Sequence, residues 1–258
     1  MKKIFLVLAI LFLSQGVIYA EVNSSLWQTE KSQHFIIYYQ EDNTGFVKEL
    51  INRAESYYNS IVEELGFRRF DFWSWDNRAK IYLYKNNASY LQDTQRAAWS
   101  GGSVSVKTRT IQSYIGQESF FDSILPHEMT HIIFREFVGE KNNLPLWLDE
   151  GVACSQEKAT LGGRMDIAKN IINRNNYLKL DKLSEVRDAS LLVPYIFYAE
   201  SASVIVFLIQ EYGSDKFLDF CRKLRDKEAW KQALLGAYRF SDFEEMENAW
   251  KIYILSHN

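Results

Sequence analysis

The densest chemical feature of the chain is a pair of histidines four residues apart with a glutamate beside the first: His127-Glu128-Met129-Thr130-His131. On a helix, residues four apart lie on one face, one turn above the other. Two imidazoles so placed can share a metal ion. Zinc suits nitrogen ligands at this spacing, and a catalytic zinc site keeps one coordination position open for water. Glu128 can reach that water and act as general base during attack on a carbonyl. Histidine is scarce, with His34, His127, His131 and His257 the only four, so the five-residue pattern has a low chance frequency. The competing reading is two ordinary histidines on a helix surface. His34 and His257 are expected to be exposed and not to bind metal.

A catalytic zinc with two histidines needs a third protein ligand. Downstream lies Leu146-Trp147-Leu148-Asp149-Glu150-Gly151, with eighteen residues between His131 and Glu150. That gap is long enough to finish one helix, turn between Gly139 and Pro145, where Asn142 and Asn143 are turn residues, and bring a second helix back beside the first. Glu150 on the returning helix can then face both histidines. It can equally be a solvated acid in a first helical turn, where the helix dipole favours it.

The HExxH pattern, the 18-residue gap and the Trp-Leu-x-Glu-Gly setting together resemble a gluzincin metallopeptidase. The similarity is to the peptidase MA-like group, related to the large gluzincin aminopeptidases. The resemblance implies zinc on His127, His131 and Glu150, with Glu128 as catalytic base. It implies an α+β, thermolysin-like (zincin-like) fold: a small mixed sheet, an active-site helix, then a helical subdomain. It also implies an edge strand that binds the substrate backbone, for which residues 101–111 are the candidate, with Gly101, Gly102 and Ser103 as substrate-binding residues. In the aminopeptidase relatives a tyrosine of the helical part supports the oxyanion; Tyr198 is the candidate here and Tyr195 the second. Thermolysin-like enzymes often carry an acid four residues after the glutamate ligand, to orient a histidine. This chain has Cys154 there, so Asp149 and Glu200 are the substitutes considered.

Several elements must position these residues. Residues 35–39 read as a β-branched and aromatic strand and residues 80–84 as a second. Between them, Val47, Leu50, Ile51, Ala54, Tyr58, Ile61 and Leu65 give a helical period, with Asn43 or Thr44 as cap and Gly66 as stop. Residues 103–111 alternate like one half-exposed strand. Helices are expected over about 120–138, with Pro126 placing the true start nearer Ser123, and then over about 147–157 and 198–212. A further helix begins at Ser214 or Asp215. The last opens on a Ser241–Glu244 capping box.

Composition narrows the function. The chain has 258 residues, 47% hydrophobic, with 3 Pro and 12 Gly, which favours a folded domain over disordered stretches. The net charge is −3 with no strong basic patch, so nucleic acid is not an expected partner. Residues 1–20, with Lys2, Lys3 and the apolar run 4–13, read as a secretory signal peptide. No other segment is apolar enough to span a bilayer. The expected organisation is therefore signal peptide 1–20 and one catalytic domain 21–258, with a sheet part over 27–117, active-site helices over 118–160 and a helical part over 161–258. Its place is extracytoplasmic, periplasmic or secreted. Cys154 and Cys221 read as buried thiols, though export permits a disulfide. The expected function is zinc-dependent hydrolysis of peptides or proteins. The alternative is a non-catalytic zincin-fold binding or scaffold domain of the cell envelope.

Overall fold

The alternating burial of Phe35, Ile37 and Tyr39 against Ile36 and Tyr38 dictates a strand with one face on a core. In the computed structural model, which describes residues 27–40, 43–67, 73–96 and 100–257, this is the second of five strands: β1 (Gln28–Lys31), β2 (Phe35–Tyr39), β3 (Ala79–Tyr84), β4 (Gly102–Ser105) and β5 (Thr110–Tyr114). Their order is β1-β2-β3-β5-β4. β2, β3 and β5 run parallel, while β1 and β4 pair antiparallel at the two edges. The segment read as a signal peptide lies outside the described residues.

Two differences from the sequence expectation concern this sheet. The single strand expected over 103–111 is a hairpin, β4 and β5, reversed around Arg109, whose φ is +49°. β1 carries Gln-Thr-Glu-Lys, exposed throughout, so it has no apolar alternation to reveal it. The hairpin leaves β4 at the edge, with its outer side unpaired by any described strand.

Helix α1 (Thr44–Glu64) crosses from β2 to β3 and buries Val47, Leu50, Ala54, Tyr58 and Ile61; Asn43 Oδ1 accepts the Phe46 N–H at its start. After β3 comes the short α2 (Asn87–Thr94). The helical part comprises α3 (Leu125–Val138), α4 (Leu146–Ser155), α5 (Lys158–Asn173), α6 (Leu180–Glu185), α7 (Pro194–Tyr212), α8 (Ser214–Arg225), α9 (Trp230–Tyr238) and α10 (Phe243–Ser256). The result is an α+β, zincin-like architecture. One continuous apolar core runs from the sheet face through α3 to α10, with Trp73, Trp147 and Trp250 fully buried in it. Among the described residues no helix is long and apolar enough to cross a membrane.

Three smaller expectations are corrected. The expected second active-site helix stops at Ser155 rather than running to 157. The last helix is capped one residue later than expected: Asp242 accepts the Glu245 N–H, and the Glu245 carboxylate accepts from the backbone and hydroxyl of Ser241. His34 is buried, not exposed; its Nδ1 lies 2.5 Å from Glu55 and its ring stacks on Tyr58. It stands apart from the 127–150 cluster and belongs to the α1–β2 core. Cys154 and Cys221 are both free and buried.

Candidate active site

Pro126 has no N–H to give to the preceding turn. The chain enters α3 through a π-helical turn, Phe120–Ile124, and α-helical geometry starts at Leu125. Pro126 thus sits in the first turn, where a missing N–H costs nothing, and the next residue is His127. α3 ends at Gly139 (φ +99°). The Asn142 amide donates to Val138 O and to Leu224 O, which fixes the turn that returns the chain as α4.

α4 lies against α3 on one side and α7 on the other. Gly151 makes the second contact possible: a Cβ at that position would stand 2.5 Å from the Ser201 carbonyl oxygen of α7. The two helix backbones approach as closely as a glycine allows. The neighbouring residue is Glu150, so this contact sets how far its carboxylate reaches toward α3.

The reach converges. His127 Nε2 and His131 Nε2 are 3.1 Å apart, and Glu150 Oε2 lies 3.5 Å from the first and 3.8 Å from the second. The point equidistant from the corners of that triangle is about 2.0 Å from each, the length of a zinc–imidazole or zinc–carboxylate bond. Two unprotonated imidazole nitrogens and a carboxylate oxygen this close repel each other unless a cation or proton sits between them. The donor set therefore fits zinc.

Both imidazoles are held from behind, and here the sequence reading needs correction. Cys154, four residues after Glu150, does face His127 Nδ1, at 3.8 Å. The carboxylate that binds this nitrogen belongs to Glu157, at 2.8 Å. Glu157 is almost fully buried and also accepts from Ser123, Thr160 and Arg164. Burial opposes its ionisation, yet the bonds from His127 and Ser123 and the Arg164 charge outweigh this and hold it far below the usual carboxylate range. An ionised Glu157 fixes the Nδ1–H tautomer of His127 and leaves Nε2 free to ligate. On the His131 side, Asp149 Oδ1 lies 3.6 Å from Nδ1, close enough for charge attraction but longer than a hydrogen bond. Arg135 grips both Asp149 oxygens at 3.0 Å. Against the cost of burial, His131 and Arg135 hold Asp149 at about 2. Of the two expected substitutes, Asp149 is thus in place and Glu200 is not. Glu200 is buried in the helical part, accepting the Leu178 N–H.

In front of the triangle opens a cleft of about 480 Å³, lined by Arg96, Ser100, Gly102, Ser103, Val104, His127, Glu128, His131, Glu150 and Tyr198. Gly102 and Ser103 of the edge strand, named from the sequence as substrate-binding candidates, line it. Gly101 does not; its carbonyl accepts from Ser113 behind the strand. Burial, and next the Glu150 charge, push the Tyr198 hydroxyl up to about 12, so it remains a donor at neutral pH. Tyr195 is 60% exposed and outside this wall. Arg96 and Ser100 also line the cleft, and neither belongs to a sequence motif.

A family model described as the peptidase MA superfamily matches residues 75–256. The chain belongs to this superfamily. Membership makes it a gluzincin-related, peptidase-type protein, a family in which zinc is the general cofactor. The matched span of the peptidase MA domain includes every residue that lines the cleft and leaves β1, β2 and α1 outside it. Among curated proteins none matches the chain.

Proposed function

We propose that the protein is an exported zinc-dependent metallopeptidase that hydrolyses peptide bonds at the His127–His131–Glu150 site. The observation that most supports this reading is the triangle of three donor atoms whose common centre lies at zinc-bond distance. Export rests on the basic start and apolar run of residues 1–20. When bound, zinc supplies Lewis acidity toward the scissile carbonyl and lowers the pKa of water in the cleft.

The chain's own residues supply the rest. The unpaired edge of β4 offers backbone groups to an extended substrate, which lies beside Gly102 and Ser103 as an added strand. Glu128, following the first ligand on α3 and facing the cleft, takes the proton of the attacking water and passes it to the leaving amine. Tyr198, across the cleft on α7, donates its hydroxyl hydrogen to the oxygen that gains charge. Glu157 and Asp149 orient the two imidazoles.

Replacing Glu128 by Gln keeps the shape and removes the base. We expect Glu128→Gln to bind zinc as the wild type does and to lose at least about a hundredfold in peptide hydrolysis. If zinc-loaded wild type cleaves nothing over a broad peptide panel, or Glu128→Gln cleaves as well as wild type, the enzymatic reading fails and a binding or scaffold role replaces it.

A further inference from the structure

Seven large apolar side chains are well exposed among the described residues, and four of them fall within five positions: Leu191, Leu192, Val193 and Tyr195. Leu191 is 81% exposed and Tyr195 60%. The backbone here is ordered into a short 3-10 turn, Ala189–Leu191. Ala189 is buried, the Leu191 and Leu192 N–H groups bond back to Asp188 and Ala189, and Pro194 starts α7. The turn therefore holds these side chains outward. A contiguous apolar strip in solvent marks a surface that something covers.

Its place in the fold indicates what covers it. Tyr195 precedes Tyr198 by three residues, so the two share one side of α7 about one turn apart. Tyr198 lines the cleft together with Gly102, Ser103 and Val104 of the edge strand. The strip therefore adjoins the cleft at Tyr195, one turn before Tyr198. A cleft of about 480 Å³ encloses only a short stretch of polypeptide. An extended chain lying on β4 advances about 3.3 Å per residue, and must cross the rim within a few residues.

We propose that Leu191, Val193 and Tyr195 form a recognition surface for apolar side chains of the polypeptide substrate, flanking the scissile bond. The protein thereby selects extended segments rich in Leu, Val and Phe, such as unfolded or unassembled chains expose. This rests on the peptidase reading, and the test separates the two.

Two peptide mixtures of equal length are compared, one enriched in Leu, Val and Phe, the other in Ser, Gln and Asn. Capture is read by fluorescence anisotropy on zinc-loaded Glu128→Gln, and cleavage by release of new amines with wild type. The same measurements are made with Leu191→Ser, Val193→Ser and Tyr195→Ser combined. Substitutions at such exposed positions leave folding stability little changed, which melting verifies; if the combination fails to fold, Leu191→Ser alone serves. The surface predicts capture and cleavage favouring the apolar mixture by about tenfold or more, through KM rather than kcat, collapsing to under about threefold in the variant. Preferential capture without any cleavage keeps the surface and sinks the peptidase reading. Cleavage without preference, or a preference the variant retains, keeps the peptidase and sinks the surface. Sedimentation with phosphatidylcholine–phosphatidylglycerol vesicles that the variant loses also overturns the proposal, since the strip then faces a membrane.

Discussion

The close contact at Gly151 makes a quantitative prediction. A methyl group there would lie 2.5 Å from the Ser201 carbonyl oxygen, 2.8 Å from its carbon and 2.9 Å from Ile205 Cγ1. The first two are helix backbone and cannot swing aside. To bring the oxygen contact to between about 3.0 and 3.4 Å, α4 and α7 must part by about 0.5–0.9 Å. A metal site tolerates ligand displacements of about 0.2 Å. Because Glu150 adjoins Gly151 on α4, Gly151→Ala moves its carboxylate beyond that tolerance. Overpacking of this kind costs about 1–3 kcal/mol of stability. We expect Gly151→Ala to lower the melting temperature of the metal-free protein and to weaken zinc binding at least about tenfold in competition with a chelator. Gly236 in α9 is the control, since its added Cβ meets nothing within 4 Å. Gly236→Ala should leave zinc affinity alone and stabilise the fold by up to about 1 kcal/mol through helix propensity. If Gly151→Ala binds zinc and melts like wild type, helix packing does not set the position of Glu150.

Two further perturbations test the supporting groups. Glu157→Gln removes the carboxylate behind His127, and zinc affinity should fall about 10–100-fold, whereas an affinity equal to wild type would return Glu157 to a purely structural role. Glu200 is buried with one oxygen unpartnered, and burial, followed by the Glu247 charge, raises its carboxyl to about 7 from 4.5. A raised folded-state value means the folded protein holds a proton that the unfolded chain has lost, so stability declines as pH rises from about 4.5 to 7 and stays reduced above it. Glu200→Gln should therefore be more stable than wild type at pH 8, by up to about 3 kcal/mol, with little difference at pH 4.5; equal urea midpoints at pH 8 would refute the assignment.

The parts of the site that local sequence encodes were legible, and those that depend on tertiary contact were not. His127, Glu128 and His131 need only helical spacing, and Glu150 needs one turn back along a second helix. Glu157 lies past the end of α4, and only the three-dimensional approach of Ser123 and Arg164 reveals that it serves His127. The β4–β5 turn was hidden for a similar reason. It has no Gly, Asn or Pro at its positive-φ position but Arg109, whose guanidinium pairs with Glu136 of α3. α5 carries Gly162-Gly163 inside it and buries only Ala168, Ile171 and Ile172, too weak a period to read. α7 was readable because it is apolar nearly all round.

Metal analysis of the purified protein decides whether His127, His131 and Glu150 hold one zinc ion. About one zinc per chain is expected in wild type and in Glu128→Gln, and less than about a tenth of that in His131→Ala. Wild type without stoichiometric zinc, or His131→Ala retaining it in full, would show that these three side chains do not form a zinc site.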